Sequence, residues 1–346
     1  MMSVWQKLQQ LWPHLGAKAT SYQQMSYEQV LGTSCDLAIL ATQEKAQAAC
    51  EAALAEIDRL EKVYSRFDET SELNCWLVDD SLRLSHDLSW LLNEAERWQN
   101  LSQGAFNPAV DALSRLWQKA AQANTLPNEN DLEATLALLS QKLYQLDAQG
   151  HYAQKLSPLG LNFNAMAKGR IVDEAAFAAY QLEGVESLLI NIGGDLRHMG
   201  RQGILVDVAD AFSKLDNAKP LLRLKIQNQA VATSGQSRRG YHIKGQWYSH
   251  VIDPQTGQSV KDHLSVTVIA PDCATADVLA TSFSVLKPQA SLALADSLPD
   301  VGCLICSYDK LYSNDFFDRH IWQDSQKNAC VETRHALSLQ TAQCHE

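Results

Sequence analysis

The chain has no disulfide framework, although it holds eight cysteines. Cys35, Cys50, Cys75, Cys273, Cys303, Cys306, Cys330 and Cys344 are scattered, most of them in apolar runs, which excludes the small stapled folds. The one close pair, Cys303 and Cys306, lies in Val301-Gly-Cys-Leu-Ile-Cys, which reads as a buried strand. Residues three apart on a strand face opposite sides, so structural thiols are favoured over a redox or zinc pair. Positive charge is scarce too. The 29 Lys and Arg against 40 Asp and Glu leave a net charge of −11, which argues against nucleic acid or anionic lipid as the main partner. No run approaches the ~20 apolar residues of a membrane-spanning helix. The opening MMSVWQKLQQLWPHLGAKA lacks the apolar core and cleavage site of a signal peptide, so the expected compartment is the cytoplasm. A dinucleotide G-x-G-x-x-G at a helix start is missing, as are internal repeats and low-complexity linkers.

What is there is ordinary for a globular chain. The 346 residues are 46% apolar and 20% charged, enough for one large domain or two lobes and too apolar for disorder. Residues 1–26 read as an N-terminal extension with a short amphipathic helix carrying Trp5, Leu8 and Trp12. The body spans 27–323 and a polar tail 324–346. Within the body the patterning predicts a strand over Val30 to Ala41 and helices over Glu44 to Val63 and Leu88 to Leu101. A turn at 104–110 leads into a third helix, and Ala120 to Gln149 is polar and helix-rich. Alternation up to Phe163 suggests a strand, with a helix from Gly169 to Gln181. Leu188 to Arg197 reads as an apolar strand ending in Gly-Gly-Asp. Short strands follow at Ile204 to Ala209, Leu222 to Ile226, Ala230 to Thr233, Tyr241 to Ile243 and Leu264 to Ile269, so the second half is largely antiparallel sheet.

The chemistry concentrates between Ala230 and Phe283. A small-residue turn (Ser234-Gly235), a histidine ahead of a Pro-Gly turn (His250, Pro254, Gly257) and a carboxylate four residues before a hydroxyl (Asp277, Thr281) lie close together. On a helix from Thr275 to Leu286, i and i+4 share one face about 5–6 Å apart. Carboxylate and hydroxyl can then reach one hard cation, and oxygen-only ligands point to magnesium. Elsewhere the signals are weaker. Ala-Lys168-Gly at a strand-to-helix turn suits phosphate oxygens but reads equally as an exposed turn. Gly193-Gly194 admits a flat ligand or makes a tight turn. His250 alone reads equally as a hydrogen-bonding turn residue.

Taken in order, these motifs resemble those of the FAD:protein FMN transferases, the ApbE family. The resemblance runs through Ser71-Glu-Leu, Phe106-Asn-Pro, Ala-Lys168-Gly with Asp173, Gly-Gly194-Asp, Ala-Thr-Ser234-Gly235, Ser-His250-Val-Ile252-Asp-Pro, Ser-Val-Thr-Val-Ile-Ala and Ala-Asp277-x-Leu-Ala-Thr281. It implies an α+β fold, ApbE-like (T-fold-like): two closely joined lobes of largely antiparallel sheet with packed helices, and FAD in the inter-lobe cleft. It implies magnesium-dependent transfer of FMN from FAD to a Thr or Ser hydroxyl of an acceptor protein, with release of AMP. The rival classes are an FAD pyrophosphatase and a non-catalytic FAD-binding or flavin-delivery protein. The positions carried over are Asp277, Thr281 and the carbonyl of Ala165 for the metal, Lys168 for the phosphates and His250 as general base. Flavin and nucleotide contacts fall on Leu31, Ser71, Phe106, Asn107, Lys168, Asp173, Gly194, Ser234, Gly235 and Ile252. The sequence departs from the family at Leu31, Asn107, Asn162, Asn164 and Ser249. Asp253 to Ser259 resembles the acceptor motif of the family's partners, but Pro254 and Gln258 break it, and the run reads as the protein's own turn.

Overall fold

The computed structural model describes residues 20–213, 218–235, 240–308 and 310–323. In chain order the elements are β1 (Ser21–Val30), β2 (Thr33–Ala41), α1 (Gln43–Tyr64), α2 (Glu72–Val78), α3 (His86–Leu101), α4 (Asp111–Gln122), α5 (Glu129–Leu139), β3 (Tyr144–Leu146), β4 (Ala153–Lys155), α6 (Asn164–Tyr180), β5 (Ser187–Ile192) and β6 (Asp195–Gly200). There follow β7 (Ile204–Val208), β8 (Leu222–Ile226), β9 (Ala230–Gly235), β10 (Gly240–Ile243), β11 (Gln246–Ser249), β12 (His263–Ala270), α7 (Cys273–Phe283), α8 (Pro288–Asp296), β13 (Gly302–Ser307), β14 (Leu311–Ser313) and α9 (Asp315–His320).

Eight strands make one antiparallel sheet in the order β1-β2-β5-β6-β9-β12-β13-β14. Both faces are covered, and the two-residue period of a strand decides which residue serves which face. Leu37, Ile39, Leu188, Ile190, Ala232 and Val268 join a core with α1, α6 and α7. Their neighbours Ala38, Leu189, Val231 and Ile269 face a smaller core under the β7–β8 hairpin and α9. Cys303 falls in the first core and Cys306 in the second, as the strand period requires of residues three apart.

A second lobe holds α2 to α5 and the hairpins β3–β4 and β10–β11. Trp76 Nε1 donates to Ala153 O at 2.7 Å and Tyr144 OH to Leu92 O at 2.8 Å, which ties the small hairpin to the helices. On α4, Trp117 Nε1 donates to Gly257 O at 2.8 Å, and its ring packs on Tyr241 and Tyr248. The larger core runs through both lobes without a break. The fold is therefore α+β with the lobes closely joined.

Three expectations change. The amphipathic helix expected over 1–26 lies outside the described residues as far as 19, and from Ser21 the chain is the sheet's edge strand. The tail 324–346 also lies outside them. No strand forms up to Phe163; α6 begins at Asn164, five residues before the expected start. Asn162 makes that start: its N–H donates to Pro108 O at 2.7 Å, and its Oδ1 accepts from Asn164 N at 2.9 Å. Gly-Gly-Asp does not end a strand either. It is the turn of the β5–β6 hairpin, with Ile192 paired to Asp195.

On the second face of the sheet, His198 is fully buried. Its Nδ1 accepts from Asn228 N at 3.2 Å, so Nε2 carries the proton and faces Ser187 Oγ at 3.1 Å. Burial, aided by Arg197, lowers its pKa from 6.5 to about 4. The folded protein then takes up this proton later than the unfolded chain as pH falls. The stability at stake is complete above pH 6.5 and is lost between there and about pH 4, by about 3 kcal/mol. His198→Asn removes this titration. Urea unfolding at neutral pH and near pH 4 should show the parent losing more stability than the variant; equal losses would mean that His198 titrates normally.

Candidate active site

Two close approaches build the site. The first is the crossing of α6 and α7 at Gly169. A Cβ there would lie 2.4 Å from Cys273 O and 2.7 Å from Ala274 Cα, both backbone atoms that cannot step aside. The crossing brings Lys168 on α6 to Asp277 on α7. Gly169→Ala should cost about 3 kcal/mol or more, since the helices must separate. Thermal and urea unfolding would measure it, and a loss below about 0.5 kcal/mol would show the crossing to be compliant.

The second approach is the β5–β6 turn. Gly193 and Gly194 have φ of +60° and +100°, the left-handed pair that suits a two-residue hairpin. A side chain at Gly193 would also strike Thr33. This turn delivers Asp195, 3% exposed, to the same cluster. Lys168 Nζ lies 2.5 Å from Asp195 Oδ2, a close and charge-assisted pair. Asp277, 8% exposed, accepts from the backbone N–H of Gly169 and faces the Asp195 carboxyl, and no N–H group or hydroxyl donates to its Oδ2.

The electrostatics follow from two buried acids sharing one base. Burial pushes the Asp277 carboxyl well up and Asp195 pushes it further, with Lys168 opposing. Burial raises the Asp195 carboxyl as well, against the pull of Lys168. For Lys168, burial favours the neutral form, but Asp277 and then Asp195 outweigh it and hold the ammonium charged. With both acids ionised the cluster carries one uncompensated negative charge. A buried carboxylate oxygen that accepts from no donor and a charge deficit fit a hard cation. Thr281 lies half-buried one turn beyond Asp277, and Ala165 half-buried in the first turn of α6. Among the described residues no three His, Cys, Asp or Glu side chains form a cage. A cation here takes the rest of its shell from neutral donors or ligand oxygens.

Strand register collects other expected residues at this end of the sheet. The Leu31-Gly32 turn, both residues at positive φ, lies beside the Gly193-Gly194 turn through Gly193 N donating to Ser34 O at 3.1 Å. Leu196 pairs with Val231 and Gly235 with Ser265, so β9 runs toward the same end and finishes there with Ser234 and Gly235. A Cβ at Gly194 or Gly235 would meet nothing within 4 Å, so flat ligand surface has room to approach.

Other expected contact residues also help to hold the framework. Ser71 caps α2: its hydroxyl donates to Ser65 O at 2.6 Å and accepts from Asn74 N at 3.1 Å. Asn107 accepts from Ala109 N and donates to Leu139 O, and Phe106 is buried beside it. Asp173 accepts from Cys273 N at 2.8 Å and Ala274 N at 2.9 Å, occupying the N-terminus of α7. Burial, and then Asp272, push its carboxyl up to about 7. Ile252 is buried and bridges to Ser259. His250, half-buried, follows β11 just ahead of the turn that Trp117 anchors at Gly257. Sequence reasoning missed Asp195. The available signal was an acid directly after a Gly-Gly turn between two apolar strands, where a buried charge needs a partner.

The sequence profile described as the ApbE family matches residues 31–305. The FAD:protein FMN transferase of Vibrio cholerae is 30% identical over 250 residues, 70% of this chain and 74% of that protein. That of Treponema pallidum is 28% identical over 317 residues, 85% of this chain and 87% of that protein. Among solved structures, the apo flavinyl transferase ApbE of Pseudomonas stutzeri superposes with a TM-score of 0.72 at 23% identity, covering 90% of this chain and 100% of that one. The ApbE protein of Thermotoga maritima gives 0.74 at 24%, covering 88% and 100%. The structural likeness establishes the fold as ApbE-like, and the profile spans the chain from the start of β2 into β13, with Lys168, Asp195 and Asp277 inside it. The chain belongs to the ApbE family.

Proposed function

We propose that this chain transfers FMN from FAD to a threonine or serine hydroxyl of an acceptor protein and releases AMP. The observation that carries the reading is the buried Asp195–Lys168–Asp277 cluster with an Asp277 oxygen that accepts from no donor, in a chain whose relatives are named FAD:protein FMN transferases. The acceptor oxygen forms a bond to the FMN phosphorus as the bridge to AMP breaks, and the hydroxyl proton must leave. Asp277, Thr281 and the Ala165 carbonyl would hold magnesium, which when bound supplies charge neutralisation to the pyrophosphate. Lys168 adds a point charge for phosphate oxygens. The Leu31 turn, Gly194, Ser234 and Gly235 give the flavin an open, close-approach surface. His250 takes the hydroxyl proton on a ring nitrogen.

The test is direct. The purified protein is incubated with FAD, magnesium and an acceptor domain carrying the family's motif, Asp-Gly/Ala-x-Ser/Thr-Gly/Ala-Ala/Ser-Ser/Thr. Mass spectrometry should find one FMN on the acceptor's Thr or Ser, with AMP formed in equal amount. Free FMN with AMP would make the protein a pyrophosphatase, and intact FAD held without turnover would make it a carrier.

A further inference from the structure

We infer that Asp195 is a positioning residue that holds the Lys168 ammonium off Asp277 and so keeps one Asp277 oxygen open for a divalent cation. The inference rests on the magnesium-dependent reading above. Two buried carboxylates face one ammonium on a long side chain that can serve either. The β5–β6 turn brings Asp195 to the lysine, and the ion pair forms there at 2.5 Å. Asp277 Oδ2 is buried, and no N–H group or hydroxyl donates to it. A buried carboxylate oxygen that accepts from no donor is costly unless a cation meets it. A Lys168–Asp277 pair alone would need no second acid, and it would cover the oxygen that a cation requires.

An isosteric Asp195→Asn change removes the charge that competes for the lysine. The remaining buried anion for Lys168 is then Asp277, and ammonium and cation contend for the same oxygen. Partners behind a metal ligand typically change metal affinity 10- to 100-fold, and a loss of that size is expected here. Removing the lysine as well ends the contention, so adding Lys168→Met to Asp195→Asn should restore most of the affinity.

Manganese(II), a spectroscopically visible hard cation, serves as the probe, with free ion counted by electron paramagnetic resonance. The full chain, Asp195→Asn, Lys168→Met and the double variant are titrated, and melting temperatures confirm that each is folded. Weak binding by Asp195→Asn with recovery in the double variant is the expected result. A double variant as weak as Asp195→Asn would make Asp195 a direct ligand or a framework residue and overturn the inference. So would parent-like binding by Asp195→Asn. A parent protein that binds no manganese would instead remove the magnesium reading itself, and this inference with it.

Discussion

Asp277→Asn should abolish FMN transfer and cation binding while leaving the protein at least as stable as the parent. The amide keeps the carboxylate's shape in a site where Gly169 N–H still finds an acceptor. It supplies no negative charge to a hard cation. A bound cation at a breaking phosphate bridge is worth several kcal/mol of transition-state stabilisation, so its loss costs roughly 10³-fold or more in rate. Stability should move the other way. Burial and Asp195 both disfavour the ionised Asp277, so an amide relieves a repulsion that the cation otherwise offsets. Transfer rate, manganese affinity and melting temperature would be measured together. Rates within a few-fold of the parent would take Asp277 out of the site, and a collapsed melting temperature would make it a framework residue.

Much of this site was legible because its letters obey local periods. Asp277 and Thr281 were placed together by the helical i, i+4 rule, and α7 forms where that rule needs it. Cys303 and Cys306 were separated by the strand period, and the two cores bear that out. The failures come from long-range packing. The sequence pattern starts the helix at Gly169, and glycine is a poor residue for a helix interior. Gly169 sits inside α6 because the backbone of α7 crosses there, which nothing near position 169 announces. The edge strand β1, SYQQMSYEQV, alternates weakly and stands partly exposed, so its polar residues hid it. Ser71 and Asn107 match motif letters, and both also bond neighbouring backbone. A motif marks a position under constraint without telling whether the constraint is a ligand or a turn. Asp195 was hidden by the opposite error, since reading Gly-Gly-Asp as a strand end stops the eye where the hairpin turns back.

His250→Ala should lower turnover by ~10²–10⁴-fold, the usual cost of losing a general base, with little change in FAD affinity. A base acts only while the hydroxyl attacks, so its removal is felt in the transition state and not in the bound substrate. The position suits that division. His250 stands between β11 and a turn held by Gly257 N donating to Asp253 O at 2.8 Å and by Trp117 on Gly257 O. Asp253 is the nearest rival base, but its carboxylate already accepts from Gln255 N at 2.8 Å and Thr256 OH at 2.9 Å. Asp253→Asn should loosen the turn and lower stability more than it lowers the rate per folded molecule. Three measurements separate the cases: FAD affinity by calorimetry, transfer rate at saturating FAD, and rescue of His250→Ala by added imidazole. Rescue with unchanged affinity identifies the base. Much weaker FAD binding with normal transfer at saturation would make His250 a flavin contact, and the proton would then have to leave by another group.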